Sequence, residues 1–164
     1  MRVYLPLTVA GLGELHRSGR AAPAPLRAHA VTPGLRSAFG EPADDEELEY
    51  AALMAAAYDS LLAIAASSGE PRRVVVAADV DDADVAPDPA ADDDPTAVLV
   101  SREVSISVCQ SVHVDDADAE GEVVLALAAL PEAQAGDGRA LATVSLVEHE
   151  LMWFATQEIP DVLG

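Results

Sequence analysis

The chain contains no lysine and no asparagine, and only one cysteine, one tryptophan and two phenylalanines. Each scarcity excludes something. Without lysine there is no phosphate-cradling Gly-x-x-x-x-Gly-Lys loop, and no Gly-x-Ser-x-Gly nucleophile elbow occurs either. A lone Cys109 cannot form an internal disulfide, which favours a reducing compartment. Set in Val-rich sequence, it reads as a small buried hydrophobe rather than a nucleophile. Positive charge is scarce too: 9 arginines stand against 29 Asp and Glu, for a net charge of −20 and a pI near 4.1. That balance argues against direct binding to nucleic-acid phosphates or anionic membranes, and leaves basic proteins or cations as fitting partners. No uninterrupted apolar run approaches the ~18–20 residues that cross a bilayer. Residues 1–12 are apolar, but Pro6, Gly11, Gly13 and Glu14 interrupt the pattern and no cleavage site follows at once, so a strand and a helix are expected there rather than a signal peptide. The expected location is the cytoplasm.

What is present suits a folded domain. At 164 residues and 51% hydrophobic, the chain is long enough for a core of its own. We expect one acidic α/β domain over residues 1–164, with a flexible acidic loop at 81–95. The arginine-only, Ala- and Asp-rich composition is that of a GC-rich coding sequence or of salt adaptation. Its organising stretch runs from Asp44 to Val80. Asp44, Asp45, Glu46, Glu47 and Glu49 supply an N-cap and an acidic first turn. Leu48, Ala51, Ala55, Tyr58, Leu62 and Ala65 then recur at helical spacing, and Tyr50, Leu53, Met54, Ala57, Leu61 and Ile64 add a second apolar line. Such a helix is expected to be covered on more than one side, with Leu62 buried and Gly69 and Pro71 closing it. The unbroken run Val74-Val75-Val76-Ala77-Ala78 predicts a strand buried on both faces.

Taken in order, Val3–Leu5 predicts a first strand ended by Pro6, and Thr8 caps a helix that Gly19 closes. Gly11-x-Gly13 lacks the third glycine and the later acidic residue of a dinucleotide fingerprint, so no cofactor site is assigned. Leu26–Val31 predicts a second strand and Thr32–Phe39 a helical turn. The eight aspartates between Asp79 and Asp94, with Pro87 and Pro89, predict a solvated loop. Counted from Asp79, this stretch lacks both the glycine and the closing glutamate of an EF-hand; counted from Asp116, Gly121 fits but Leu127 stands where the glutamate belongs. Further strands are expected at Thr96–Ser101, Val104–Val108 (with a short helix through Cys109 as the alternative), Val112–Val114, Ala140–Val147 and Leu151–Ala155. Helices are expected from Asp116 to a stop at Pro131 and over Gln157–Leu163. Met152, Trp153 and Phe154 gather rings in one place, as a core or an interface anchor does.

Several of these stretches resemble an uncharacterised family of small actinobacterial proteins, a domain of unknown function. They are Met1–Pro6, Glu46–Leu53, Arg72–Val80, His113–Asp116, and His149–Phe154 through Gln157–Pro160. The resemblance spans nearly the whole chain and implies no activity, cofactor or catalytic residue.

The fold expected from these patterns is α/β, a mixed and mostly parallel sheet of about five or six strands with packed helices. A two-layer ferredoxin-like α+β arrangement is the alternative. Asp79 and Asp115 each follow a predicted strand, where open α/β sheets bind ligands. His113 and Asp115 share a strand face, so Asp79, His113, Asp115 and His149 form a candidate divalent-metal or acid–base set if the chain brings them together. Three functions follow. The first is a non-catalytic protein that binds a partner or itself, with Asp79–Asp94 and the Trp153 neighbourhood as its surfaces. The second is a metal- or small-molecule-dependent enzyme using the carboxylate/histidine set. The third is an acidic mimic of nucleic acid.

Overall fold

A computed structural model describes residues 1–40, 44–91, 93–145 and 150–164. Its strands are β1 (Arg2–Leu7), β2 (Arg20–Ala21), β3 (Leu26–Ala30), β4 (Val74–Asp79), β5 (Val85–Pro87), β6 (Ala97–Val100), β7 (Val104–Ser105), β8 (Cys109–Val114) and β9 (Met152–Ala155). Its helices are α1 (Val9–Ser18), α2 (Pro33–Phe39), α3 (Asp45–Ser67), α4 (Glu120–Gln134), α5 (Gly138–Ser145) and α6 (Ile159–Leu163). Seven strands form one sheet in the order β5-β6-β3-β1-β4-β8-β9, and β2 and β7 pair beside it.

All the pairings in the large sheet are antiparallel. This corrects the expectation of a mostly parallel sheet. The misreading has a physical source. Strands β3 and β4 are joined through α2 and α3 and run parallel to each other, as in a βαβ unit, but β1 lies between them and opposes both. The buried valine run does not separate the two cases either, because this antiparallel sheet is covered on both faces. Val74, Val76 and Ala78 join Leu12, Leu15 and Ile159 in a core under α1 and α6. Val75 and Ala77 face the other way with Tyr4, Ala52, Ala56 and Ala57, under α3. Helices on both faces also set aside the two-layer ferredoxin-like alternative.

The long helix forms as its sequence dictates. Asp44 caps it by accepting from the Glu46 N–H, and Asp45, Glu46 and Glu47 fill its first turn. Its end differs from expectation: Ser68, not Gly69, takes the left-handed position at φ 51°. Ser60 fastens the helix to the sheet. Its buried hydroxyl donates to the Leu7 carbonyl (2.6 Å) and accepts from the Val74 N–H (2.9 Å). Helix α3 is long and apolar enough to span a bilayer by length and composition; here its inner face lies against the sheet. Leu62, expected to be buried, is only partly so, and Leu61 is the buried neighbour.

Further differences are local. Strand β1 runs through Pro6 to Leu7 because β4 pairs with it along its whole length, whereas β3 is in register only with Val3 and Tyr4. Residues 138–145 form helix α5, not a strand: the Asp137 carboxylate accepts from the N–H groups of Arg139 and Ala140, and Ala140 and Val144 bury one helical face. Residues 146–147 of that expected strand lie outside the described residues. Helix α4 continues past Pro131 to Gln134. In the aspartate-rich stretch, Val85–Pro87 pairs with β6 as the edge strand.

Candidate functional site

Of the four residues grouped from sequence, the three that are described, Asp79, His113 and Asp115, are not gathered into one site. Asp79 ends β4 and pairs with Arg2 (Nε to Oδ1, 3.1 Å). Asp115 follows β8 at the opposite end of β4, where Arg73 lies, about 20 Å away at ~3.3 Å per strand residue. Its carboxylate is wholly engaged: Arg73 donates from its backbone N–H (2.7 Å), Nε (3.0 Å) and Nη2 (2.7 Å). Both side chains of that pair are buried. His113 lies between these ends on β8, opposite Val75, with Nε2 3.0 Å from the Ser111 hydroxyl; burial pulls its pKa below the ordinary value. His149 lies outside the described residues. Among the described residues, no three His, Cys, Asp or Glu side chains are placed to hold a metal ion. Burial pushes the Cys109 thiol up to about 11, so it carries little thiolate at neutral pH.

A different histidine has the carboxylate partners. His29 on β3 is buried. Its Nδ1 lies 2.7 Å from Thr96 Oγ1 and its Nε2 3.1 Å from Asp59 of α3. Thr96 Oγ1 donates to Asp94 (2.6 Å), which leaves its lone pair for the ring N–H. The order carboxylate–imidazole–hydroxyl matches a hydrolytic triad, but Thr96 is buried and already bonded to Asp94, so its oxygen is not offered to a substrate. The chain of bonds fastens α3 to β3 and β6. One sequence signal marked it: Asp59 is the only charged residue between Glu49 and Glu70, and a charge alone in an apolar helix needs a partner. Replacing Asp59 by alanine leaves a buried ring nitrogen unmatched and lowers stability by about 1–3 kcal/mol. Asparagine, which can still accept, retains most of it; a urea midpoint unmoved by Asp59→Ala would show the contact to be idle.

A small charged cleft of about 170 Å³ lies beside the Arg2 end, lined by residues that include Tyr4, Arg36 and Glu49. The Tyr4 hydroxyl donates to Glu49 (3.3 Å); burial, then the Glu49 charge, pushes its pKa up to about 12. The cleft's two arginines are both paired, Arg2 with Asp79 and Arg36 with Asp45.

Among the described residues, the β9 edge has main-chain groups with no partner strand. The two edges of the sheet differ. Edge strand β5 is three residues long, carries Pro87 and is flanked by Asp84 and Asp88. Edge strand β9 reads Met-Trp-Phe-Ala, with neither charge nor proline. The Ala155 N–H is bonded to Glu158 Oε2 (2.7 Å) and so points away from β8. Since successive residues of an antiparallel strand direct their N–H and C=O groups to alternate sides, the backbone groups of Trp153 also face outward. Its ring, opposite His113 in register, is 61% exposed. Sequence reading placed an anchor at Trp153; the open main-chain edge beneath it comes from β8 taking up one side of β9 alone.

The chain belongs to a family of unknown function (DUF6912), whose sequence profile matches residues 1–163. No curated protein and no solved structure matches it.

Proposed function

We propose, for a member of a family without an assigned activity, that this chain is a non-catalytic, cytoplasmic protein-binding module. It takes up an extended, basic segment of another protein along β9. The observation that carries this reading is the edge itself: an uncharged strand with outward main-chain groups and a largely exposed tryptophan. Proteins ordinarily blunt such edges with charge, proline or a cover, as β5 is blunted here. An open edge accepts a further strand through main-chain hydrogen bonds, with alternate side chains setting specificity. The charge of the partner follows from the surroundings. Between Arg102 and the C-terminus, Arg139 is the only arginine and there is no lysine, and Glu150 and Asp161 are exposed near β9 in the sequence.

A fluorescent peptide of alternating valine and arginine tests the reading by anisotropy. It binds the wild-type chain, weakens as salt is raised, and is not replaced by a valine–glutamate peptide. Trp153→Pro removes an outward N–H and leaves the bonds from β9 to β8 in place, so it abolishes binding without loss of circular dichroism. Equal affinity for this variant would rule the edge out as the binding surface.

A further inference from the structure

The outer face of α3 carries a second surface that the edge reading does not use. Tyr50 and Tyr58 are exposed, and Met54 and Leu62 are partly so. From Tyr50 to Ala66 the one charged side chain is Asp59, and it is turned to His29. This is a conspicuous gap in a chain of net charge −20. An α-helix that is apolar on all sides belongs in an interior, yet among the described residues the sheet covers only the inner side of α3, α2 meets its start and α4 flanks its C-terminal half. Beside that half lies an open apolar groove of about 750 Å³, lined among others by Leu62, Ala65, Ala66, Val124, Leu127 and Ala128.

We infer that a second copy of this chain covers the face, with the two α3 helices antiparallel about a twofold axis at Tyr58. Such an interface is isologous, so residue 58 − n of one copy meets residue 58 + n of the other. The sequence is self-complementary in that register. Tyr50 meets Ala66, Met54 meets Leu62, Ala51 meets Ala65, and Tyr58 meets its own counterpart. Large thus lies against small at both ends, and the Tyr50 ring of each copy enters the other's groove between α3 and α4. A basic partner has no carboxylate to meet along this stripe, whereas a second copy needs none. A bilayer is disfavoured because acidic groups flank the stripe at Glu46–Glu49 and at Glu70. The same register brings Glu46 near Glu70 of the second copy, so added salt strengthens the pair by screening that contact and the overall charge. This is opposite to its effect on the basic peptide.

Sedimentation velocity of the full chain, from micromolar to several hundred micromolar, reads the dimer directly and shows it favoured in molar salt. Met54→Glu returns the chain to monomer, while Trp153→Pro leaves the dimer unchanged, which keeps this inference separate from the edge reading. Oxidation of two variants, each with one added cysteine, fixes the register, since Cys109 is buried. Tyr58→Cys, on the axis, is captured as a disulfide-linked dimer; Tyr50→Cys, about 24 Å from its counterpart at 1.5 Å per residue, is not. A wild-type chain that stays monomeric throughout overturns the inference, as does equal capture of both variants. Co-flotation of the monomer with anionic vesicles overturns it too, by showing that a bilayer is the occupant.

Discussion

Replacing Asp115 by alanine destabilises the fold by about 3–5 kcal/mol, the range for removing one partner of a buried ion pair. The loss is large because the buried Arg73 guanidinium loses the carboxylate that balances its charge, and the Arg73 N–H loses its acceptor as well. Asp115→Asn restores shape but not charge and recovers only part of the loss. Replacing both partners together, Arg73→Met with Asp115→Leu, costs far less than Asp115→Ala, because no charge is stranded and apolar groups of similar size can fill the space. Urea unfolding of the three variants measures this order. A double variant as unstable as Asp115→Ala would show that the pair matters through something other than the stranded arginine, and a loss below about 1 kcal/mol for Asp115→Ala would place it with solvated surface pairs.

Leu61→Ala lowers stability by about 2–5 kcal/mol, whereas Leu62→Ala lowers it by about 1 kcal/mol in the monomer. The two residues are adjacent and alike in chemistry. Leu61 is 2% exposed and packs with Val123, Ala126 and Leu130, so its truncation opens a cavity between α3 and α4. Leu62 turns a quarter of a helical turn further round, onto the groove, where solvent fills the space left by the missing methyls. Thermal or urea unfolding at a concentration low enough to hold the chain monomeric separates the two. Equal losses would mean that α3 is rotated from the orientation set by Ser60.

The sequence therefore makes the existence of α3 plain while hiding its phase. Asp44 and the acids after it mark the helix start without ambiguity, and the following Ala and Leu residues mark its length. With apolar residues on every side, however, no polar stripe distinguishes Leu61 from Leu62; tertiary packing decides that. The strands show a similar division. Val74–Ala78 announces burial on both faces, but burial carries no information about strand direction, and the helical connection over β1 imitates a parallel unit. Residues 140–147 read as a strand, but the Asp137 carboxylate caps 138–145 as a helix with Ala140 and Val144 buried. At the candidate site, His113 lies on β8 but Asp115 lies just past its end, and Arg73 claims the carboxylate through a contact 42 residues apart in sequence. Spacing within one strand could not reveal it. The β9 edge was half legible: its rings were conspicuous, but its place at the end of the strand order is a property of the whole sheet.

That strand order also describes how the sheet can be assembled as the chain is made. Strand β1 is synthesised first and ends in the centre, with β3 on one side and β4 on the other. Strand β6 then extends the sheet beyond β3, with β5 folded back onto it, and β8 extends it beyond β4, followed by β9. Each addition joins a border that already exists, so no earlier pairing has to open to admit a later strand. Growth outward from the N-terminal strand suits folding during synthesis, when residues emerge at about 5–20 per second. Each border left exposed in the meantime is covered by the next arrival. Among the described strands, none follows β9 to cover the border made last.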